Sequence, residues 1–327
     1  MKEDVELFLK EWLSEESFIT AHSSGSTGAP KPIKLPKSLV RESALRTIKF
    51  FNISSSSRLH LCLSTDYIAG KMMVVRSQMS GAELTVEEPS NTPLADTELL
   101  EGRRITLLAI VPSQLVSLLN HPERLAIVDN ILLGGSPIPP ELKKRFLAMK
   151  LKVKAWESYG MTETASHIAL RPINDSETPF TCLPEIRCSL GEQENLCIHF
   201  GKNLIETRDI ATLLSPTSFY IRGRLDNVII SGGLKIHPEE LEIKAADILA
   251  SYSSFITGAH DEKWGEIPVL AIERKTTLSE QEEKVLLMKL RERLGSKMAP
   301  KKIIVLPEFL RTDSGKVIRK ISLPLHS

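Results

Sequence analysis

This chain has no long apolar run, no cysteine cluster and almost no net charge. No uninterrupted apolar stretch approaches the ~18 residues that a membrane helix needs, which argues against membrane insertion. The N-terminus, Met1-Lys2-Glu3-Asp4, is acidic and lacks the apolar core of a secretory signal. The four cysteines, Cys62, Cys182, Cys188 and Cys197, form no Cys-x-x-Cys pair and have no histidine at ligand spacing. That pattern points to buried free thiols in a cytoplasmic protein and away from zinc. A net charge of +1 with 5% aromatic residues leaves neither a basic face nor an aromatic platform for nucleic acid. No internal repeat and no low-complexity segment is present.

What is present is an ordinary globular composition, 42% hydrophobic and 25% charged over 327 residues. That length accommodates two domains of ~100–200 residues each. Val5, Phe8, Leu9, Trp12 and Leu13 recur at helical spacing and predict an opening helix over 2–13. Strands then alternate with helices: strands at 59–63, 83–86, 107–111, 131–133 and 152–156, helices at 70–79, after Pro112 and at 139–149. The alternation predicts a large N-terminal α/β domain with layered sheets, largely parallel. Strand-like segments such as 195–199 follow. Past Ile221 the texture becomes α+β: a helix at 238–249, strands near 255–259 and 268–273, a charged helix at 278–294 and a strand at 303–306. We read domains of 1–225 and 226–327.

The segment His22-Ser23-Ser24-Gly25-Ser26-Thr27-Gly28-Ala29-Pro30-Lys31 concentrates hydroxyls, glycines and a lysine. Glycines let backbone N–H groups approach phosphate oxygens, and hydroxyls and a lysine complete the cradle. It is neither a Walker loop, which needs Gly-Lys-Ser/Thr where Pro30-Lys31-Pro32 stands, nor a G-x-G-x-x-G. On its own it also reads as a flexible linker.

Three further segments carry chemistry. Glu157-Ser158-Tyr159-Gly160-Met161-Thr162-Glu163 follows a strand, where open α/β sheets bind ligands. A ring there can stack on a base, a threonine can reach a phosphate, and a carboxylate can hold Mg²⁺ together with substrate phosphates. Gly223-Arg224-Leu225-Asp226 precedes a strand, a glycine turn and a helix opened by Pro238. Arg311-Thr312-Asp313-Ser314-Gly315-Lys316 ends in a lone basic residue. Each alone is also readable as a capped turn, a linker or a solvated tail.

Together and in this order, these segments resemble the adenylate-forming superfamily of acyl-CoA synthetases, adenylation domains and luciferases, over almost the whole chain from 22 to 320. The resemblance implies ATP, Mg²⁺ and the co-substrate CoA. Ser23, Ser24, Gly25, Ser26, Thr27, Gly28 and Lys31 match the phosphate loop. Gly134, Gly135 and Ser136 resemble the adenine-side turn. Ser158, Tyr159, Gly160, Thr162 and Glu163 belong to the Tyr-Gly-x-Thr-Glu signature, with Glu163 the metal ligand. Asp209 and Arg224 correspond to the ribose-binding pair, Asp226 to the hinge and Lys316 to the adenylation lysine. Thr162, Glu163 and Lys316 are the implied catalytic residues. Ser231, Gly232 and Gly233 would line the pantetheine path. Two departures stand out: Thr207-Arg208-Asp209 replaces the usual Thr-Gly-Asp, and Asp66-Tyr67-Ile68-Ala69-Gly70 replaces a His-x-x-Gly element. The chain is also shorter than typical members, with the shortfall before the phosphate loop.

The segment from Asp66 to Arg76 and the short length are most similar to o-succinylbenzoate–CoA ligases of menaquinone biosynthesis. An aromatic dicarboxylate calls for basic partners, and Lys71, Arg76 and His167 are the candidates, with Arg171 beside them. Lys71 and Arg76 lie five apart on a helix and do not share a face well. The alternatives are another aryl- or acyl-CoA ligase, or a stand-alone adenylation enzyme loading a carrier protein. Expected partners are a small carboxylic acid, ATP and CoA. A homodimer is compatible; nucleic acid and membrane insertion are not expected.

Overall fold

The computed structural model describes residues 1–22, 32–95, 103–174, 177–311 and 317–319. They form two compact units, Met1–Ile186 and Arg187–Ser327. Among the described residues no helix is long and apolar enough to cross a membrane.

The first unit opens with helix α1 (Lys2–Leu13), whose Val5, Phe8 and Trp12 face inward and whose Glu3 and Asp4 complement the helix dipole. Strands β1 (Phe18–His22) and β2 (Pro32–Pro36) pair antiparallel, His22 opposite Pro32. Helix α2 (Lys37–Phe50), absent from the sequence expectations, packs on the helix Ile68–Ser80. Then follow β3 (Arg58–Leu61), α3 (Ile68–Ser80), β4 (Glu83–Val86), β5 (Leu107–Ile110), α4 (Pro112–Leu118), β6 (Asn130–Leu133), α5 (Pro140–Ala148), β7 (Lys154–Gly160), β8 (His167–Pro172) and β9 (Phe180–Cys182). The sheet runs β9-β8-β7-β6-β5-β3-β4. From β4 to β7 every pairing is parallel; β8 and β9 are antiparallel. β3 and β5 are buried along their whole length, as strands covered on both faces must be.

Two local features decide where the site forms. Helix α3 is buried at every position from Gly70 to Ser77 and so has no solvent stripe there. It ends at Gly81, whose φ of +72° supplies the left-handed cap. Strand β7 continues to Gly160, four residues past the expected end at Trp156, because Glu157 is held in the sheet by Arg171 across β7–β8.

The second unit contains β10 (Ile186–Leu190), β11 (Asn195–Phe200), β12 (Asn203–Ser215) and β13 (Ser218–Arg224), the last three pairing antiparallel in order. A second sheet holds β14 (Ile229–Ser231), β15 (Leu234–Ile236), β16 (Ser254–Asp261), β17 (Gly265–Glu273) and β18 (Lys302–Leu306), in the order β15-β14-β17-β16 with β18 parallel to β17. Helices α6 (Pro238–Lys244), α7 (Ala246–Leu249) and α8 (Glu280–Leu294) cover it. The single helix expected over 238–249 is two, broken at Ala245, where Arg293 Nη1 donates to the Lys244 carbonyl at 3.0 Å. The expected domain boundary at Asp226 falls inside this second unit.

Candidate functional site

In the first unit the chemistry-bearing segments collect at the carboxyl ends of the parallel strands, where open α/β sheets bind ligands. Gly134-Gly135 follow the end of β6 at Leu133, and Ser136 comes next, exposed. Beside it, Ser158 Oγ on β7 donates to the Leu133 carbonyl at 2.7 Å. A Cβ at Gly134 would lie 2.8 Å from that same Oγ, so the glycine turn and Ser158 require each other. Gly135 has φ +86° and would bring a Cβ within 3.2 Å of Val111.

The Tyr-Gly-x-Thr-Glu segment makes the turn between β7 and β8. A Cβ at Gly160 would fall 2.4 Å from both the His167 Cα and the Ser166 carbonyl oxygen, so only glycine fits. Thr164 Oγ1 donates to the Met161 and Ser166 carbonyls at 2.9 and 2.6 Å and accepts from the Met161 N–H at 3.1 Å. Ala165 takes φ +61° to close the turn. This buries Thr162 and leaves Glu163 exposed, with no hydrogen bond or ion pair to the described residues. A solvent-facing carboxylate held on a rigid turn fits a magnesium ion that takes most of its ligands from water and phosphates. Among the described residues no group of three or more His, Cys, Asp or Glu could hold a metal by itself. The Tyr159 ring lies 5.7 Å from that of Phe180, and the Arg171 guanidinium lies 4.4 Å over Phe180 while donating to Glu157. Strand β2 packs against the turn 162–164. His22 and Pro32, which flank the phosphate-loop segment, pair directly, and His22 also bridges Tyr67. Ser23, Ser24, Gly25, Ser26, Thr27, Gly28 and Lys31 themselves lie outside the described residues.

Behind the turn lies a polar cluster that the sequence only half disclosed. Arg76, on α3, is 1% exposed. Its Nη2 donates to Ser166 Oγ at 2.9 Å, and Nη1 lies 3.6 Å from the Met73 sulfur. Nε has no partner, and among the described residues no carboxylate pairs with the guanidinium. Burial pulls Arg76 down to about 9, still above neutrality, so the cation persists. His167 touches Ser166 Oγ at 3.1 Å and Thr47 Oγ1 at 3.3 Å. Burial first, and then the Arg76 charge, hold its imidazole well below the usual range, so it is neutral. Thr47 and Ser166 were missed by sequence reading, since nothing local marks them. Lys71 goes elsewhere: it lies 3.6 Å from Glu11 and 4.3 Å over the Phe8 ring, both on α1.

In the second unit, the β12–β13 register puts Asp209 opposite Arg224, and Arg224 Nη1 donates to Asp209 Oδ1 at 2.6 Å. Asp226 receives Arg208 Nε at 2.7 Å and lies 3.3 Å from Arg224 Nη2. The Arg208 that replaces glycine thus clasps the expected hinge residue. Ser231 ends β14, and Gly232-Gly233, at φ +55° and +83°, make the two-residue turn into β15. Lys316 lies outside the described residues.

The chain matches the AMP-binding enzyme family over residues 9–192 and the AMP-binding enzyme C-terminal domain over 253–316. It belongs to the AMP-binding enzyme family. Among relatives of this AMP-binding enzyme, the 2-succinylbenzoate–CoA ligase of Listeria monocytogenes is 25% identical over 98% of this chain and 72% of its own length. The Bacillus subtilis enzyme of that name is 26% identical over 91% and 67%. Among solved structures, an acyl-CoA synthetase (AMP-forming)/AMP-acid ligase II-like protein from Dyadobacter fermentans is 32% identical, covering 96% of this chain and 91% of that one, with a TM-score of 0.63. The Bacillus subtilis o-succinylbenzoate coenzyme A synthetase, in complex with ATP and magnesium ion, has a TM-score of 0.77 over 92% of this chain and 68% of that one. At 23% identity that last likeness is one of fold. The α/β fold class expected from the alternation of strands and helices is the one this family has.

Proposed function

We propose that this AMP-forming CoA ligase activates an aromatic dicarboxylate, o-succinylbenzoate, for menaquinone biosynthesis. The observation that carries the substrate is Arg76. A buried cation without a carboxylate partner is expensive, and the expense is recovered when a ligand supplies the anion. One substrate carboxylate would react; the other would meet Arg76, with Ser166 and neutral His167 beside it as hydrogen-bonding neighbours. The names of the relatives support the same choice.

The reaction would run in two steps. A carboxylate oxygen attacks the α-phosphorus of ATP, forming the acyl-adenylate as the bond to pyrophosphate breaks. The CoA thiol, losing its proton, then attacks the acyl carbon and AMP leaves. The protein has little covalent work in such transfers and acts by positioning and charge stabilisation. Tyr159 would pack on adenine beside Gly134, Gly135, Ser136, Ser158 and Gly160. Asp209 and Arg224 would take the ribose hydroxyls. Thr162 would reach the α-phosphate, and the 23–31 segment would grip the phosphates that depart. Glu163 would hold a magnesium ion, which supplies positive charge against the phosphates. Lys316 would neutralise the two anions as they meet. A lysine needed only in the first step calls for movement in the second, which we assign to rotation of residues 226–327 about Asp226, with Ser231, Gly232 and Gly233 along the pantetheine path.

The test is pyrophosphate exchange over a panel of carboxylic acids. We expect o-succinylbenzoate to exceed benzoate and simple aliphatic acids by at least about 10²-fold in kcat/KM, the scale of a buried charge pair. Activity confined to aliphatic acids would rule the substrate out while leaving the family intact.

A further inference from the structure

Strands β7, β8 and β9 set out a row of side chains across three neighbouring strands. Glu157 on β7 stands opposite Arg171 on β8. On the other side of β8, Leu170 stands opposite Thr181, and one step further along that register brings Phe180 level with Arg171. The side chains follow the backbone. Arg171 Nε donates to Glu157 Oε2 at 2.7 Å, and Nη2 lies 2.7 Å from the same oxygen. The guanidinium lies over the Phe180 ring, 4.4 Å from its centre. Arg171 stood among the candidates for a substrate carboxylate, but here its anion is Glu157 and its flat face is taken by Phe180. Tyr159 lies two residues beyond Glu157, on the same face of the sheet. Its partner across β8 is Ala169, whose side chain is only a methyl group. The Phe180 ring reaches diagonally past it, and the two rings meet at 5.7 Å and 51°, within the range of favourable aromatic pairs. Phe180 is itself 4% exposed.

An ion pair thus seats an arginine, the arginine seats a phenylalanine, and the phenylalanine seats the tyrosine. A tyrosine ring that is free to turn loses that freedom when a flat ligand settles on it, and affinity falls accordingly. A ring already held against a second ring has little left to lose. We propose that Phe180, backed by Arg171, is a positioning residue for the Tyr159 ring and so sets the affinity for the adenine of ATP, leaving the acid untouched. The inference rests on the placing of adenine against Tyr159 in the reading above.

The experiment is a double-mutant cycle in the full chain. It reads the dissociation constant for ATP with Mg²⁺ and, separately, KM for the acid that the exchange panel selects. Phe180→Leu should weaken ATP by about 3–10-fold, the scale of one aromatic pair, and leave KM for the acid within about twofold. Tyr159→Leu should weaken ATP at least as much. In the Tyr159→Leu background, Phe180→Leu should weaken ATP no further, because the ring it acts through is gone. Phe180→Met also removes the ring while filling its space, and it repeats the test should the leucine variant not fold. Additive losses in the double variant, no loss from removing the Phe180 ring, or an equal rise in KM for the acid would overturn the proposal. If Phe180→Leu alone is silent, the adenine reading stands without it. If Tyr159→Leu leaves ATP binding intact, the adenine reading fails, and the role of Phe180 falls with it.

Discussion

Arg76 in the first unit and Arg319 in the second are both shielded cations, but among the described residues only Arg319 has carboxylates beside it. Arg319 is met by two carboxylates of α6 and stacks on Phe255. Arg76, the more deeply buried, has a serine hydroxyl and a thioether; each guanidinium keeps one nitrogen without a hydrogen bond, Nε in Arg76 and Nη1 in Arg319, so the carboxylates are what separate them. An arginine with its acids in place is a fastener: it closes its own charge balance and fixes the backbone around it. An arginine buried without an acid leaves the balance open, and a ligand has to close it. Arg224 belongs with the fasteners, matched by Asp209 and Asp226.

That contrast can be broken by substitution. The largest stability effect should come from Arg319→Leu, which strands Glu242 and Glu239. Unfolding in denaturant should show a loss of about 2–3 kcal/mol, below the full figure for a buried pair because both partners keep some exposure. No loss would make the fastener reading wrong.

A smaller effect is set by pH through His167. Unfolded, this histidine takes a proton below its ordinary value of 6.5; folded, it stays neutral because burial, and after it the Arg76 charge, hold it down. The unfolded state therefore binds more protons, and stability should fall as pH drops below 6.5. The slope would be at most about 1.4 kcal/mol per pH unit from this one group. His167→Gln should remove that component. In Arg76→Leu most of it should persist, since burial is the larger cause. A slope that survives His167→Gln unchanged would assign the titration elsewhere. Smallest of all should be the stability change of Arg76→Leu itself, within about 1 kcal/mol of the parent or slightly stabilising, because no acid among the described residues is stranded.

The sequence disclosed the site unevenly, for physical reasons. The Tyr-Gly-x-Thr-Glu turn was legible as a motif, yet the need for Gly160 comes from His167 and Ser166 on the returning strand, which no local pattern reveals. Helical spacing foretold that Lys71 and Arg76 would part, and they do, toward α1 and toward Ser166. Thr47 joins His167 across 120 residues of sequence, a contact made only by packing. Asp209 and Arg224 were linked by resemblance alone; their hydrogen bond follows from a register that includes a bulge at Ile210/Ala211. Strand β7 was drawn too short because its apolar run stops, while an ion pair with Arg171 carries the pairing onward. Helix α2 went unread because its inward face includes Lys37, Ser43, Arg46 and Thr47 with few apolar residues.

The most direct test of the account compares Arg76 with Arg76→Leu on two substrates that differ by one carboxylate: o-succinylbenzoate and the same acid with its non-reacting carboxyl replaced by a methyl group. If Arg76 meets the second carboxylate, kcat/KM for the dicarboxylate falls by about 10²–10³-fold in the variant while that for the monocarboxylate holds or rises, so that the preference inverts. A fall of equal size on both substrates would contradict it and would make Arg76 part of the scaffold.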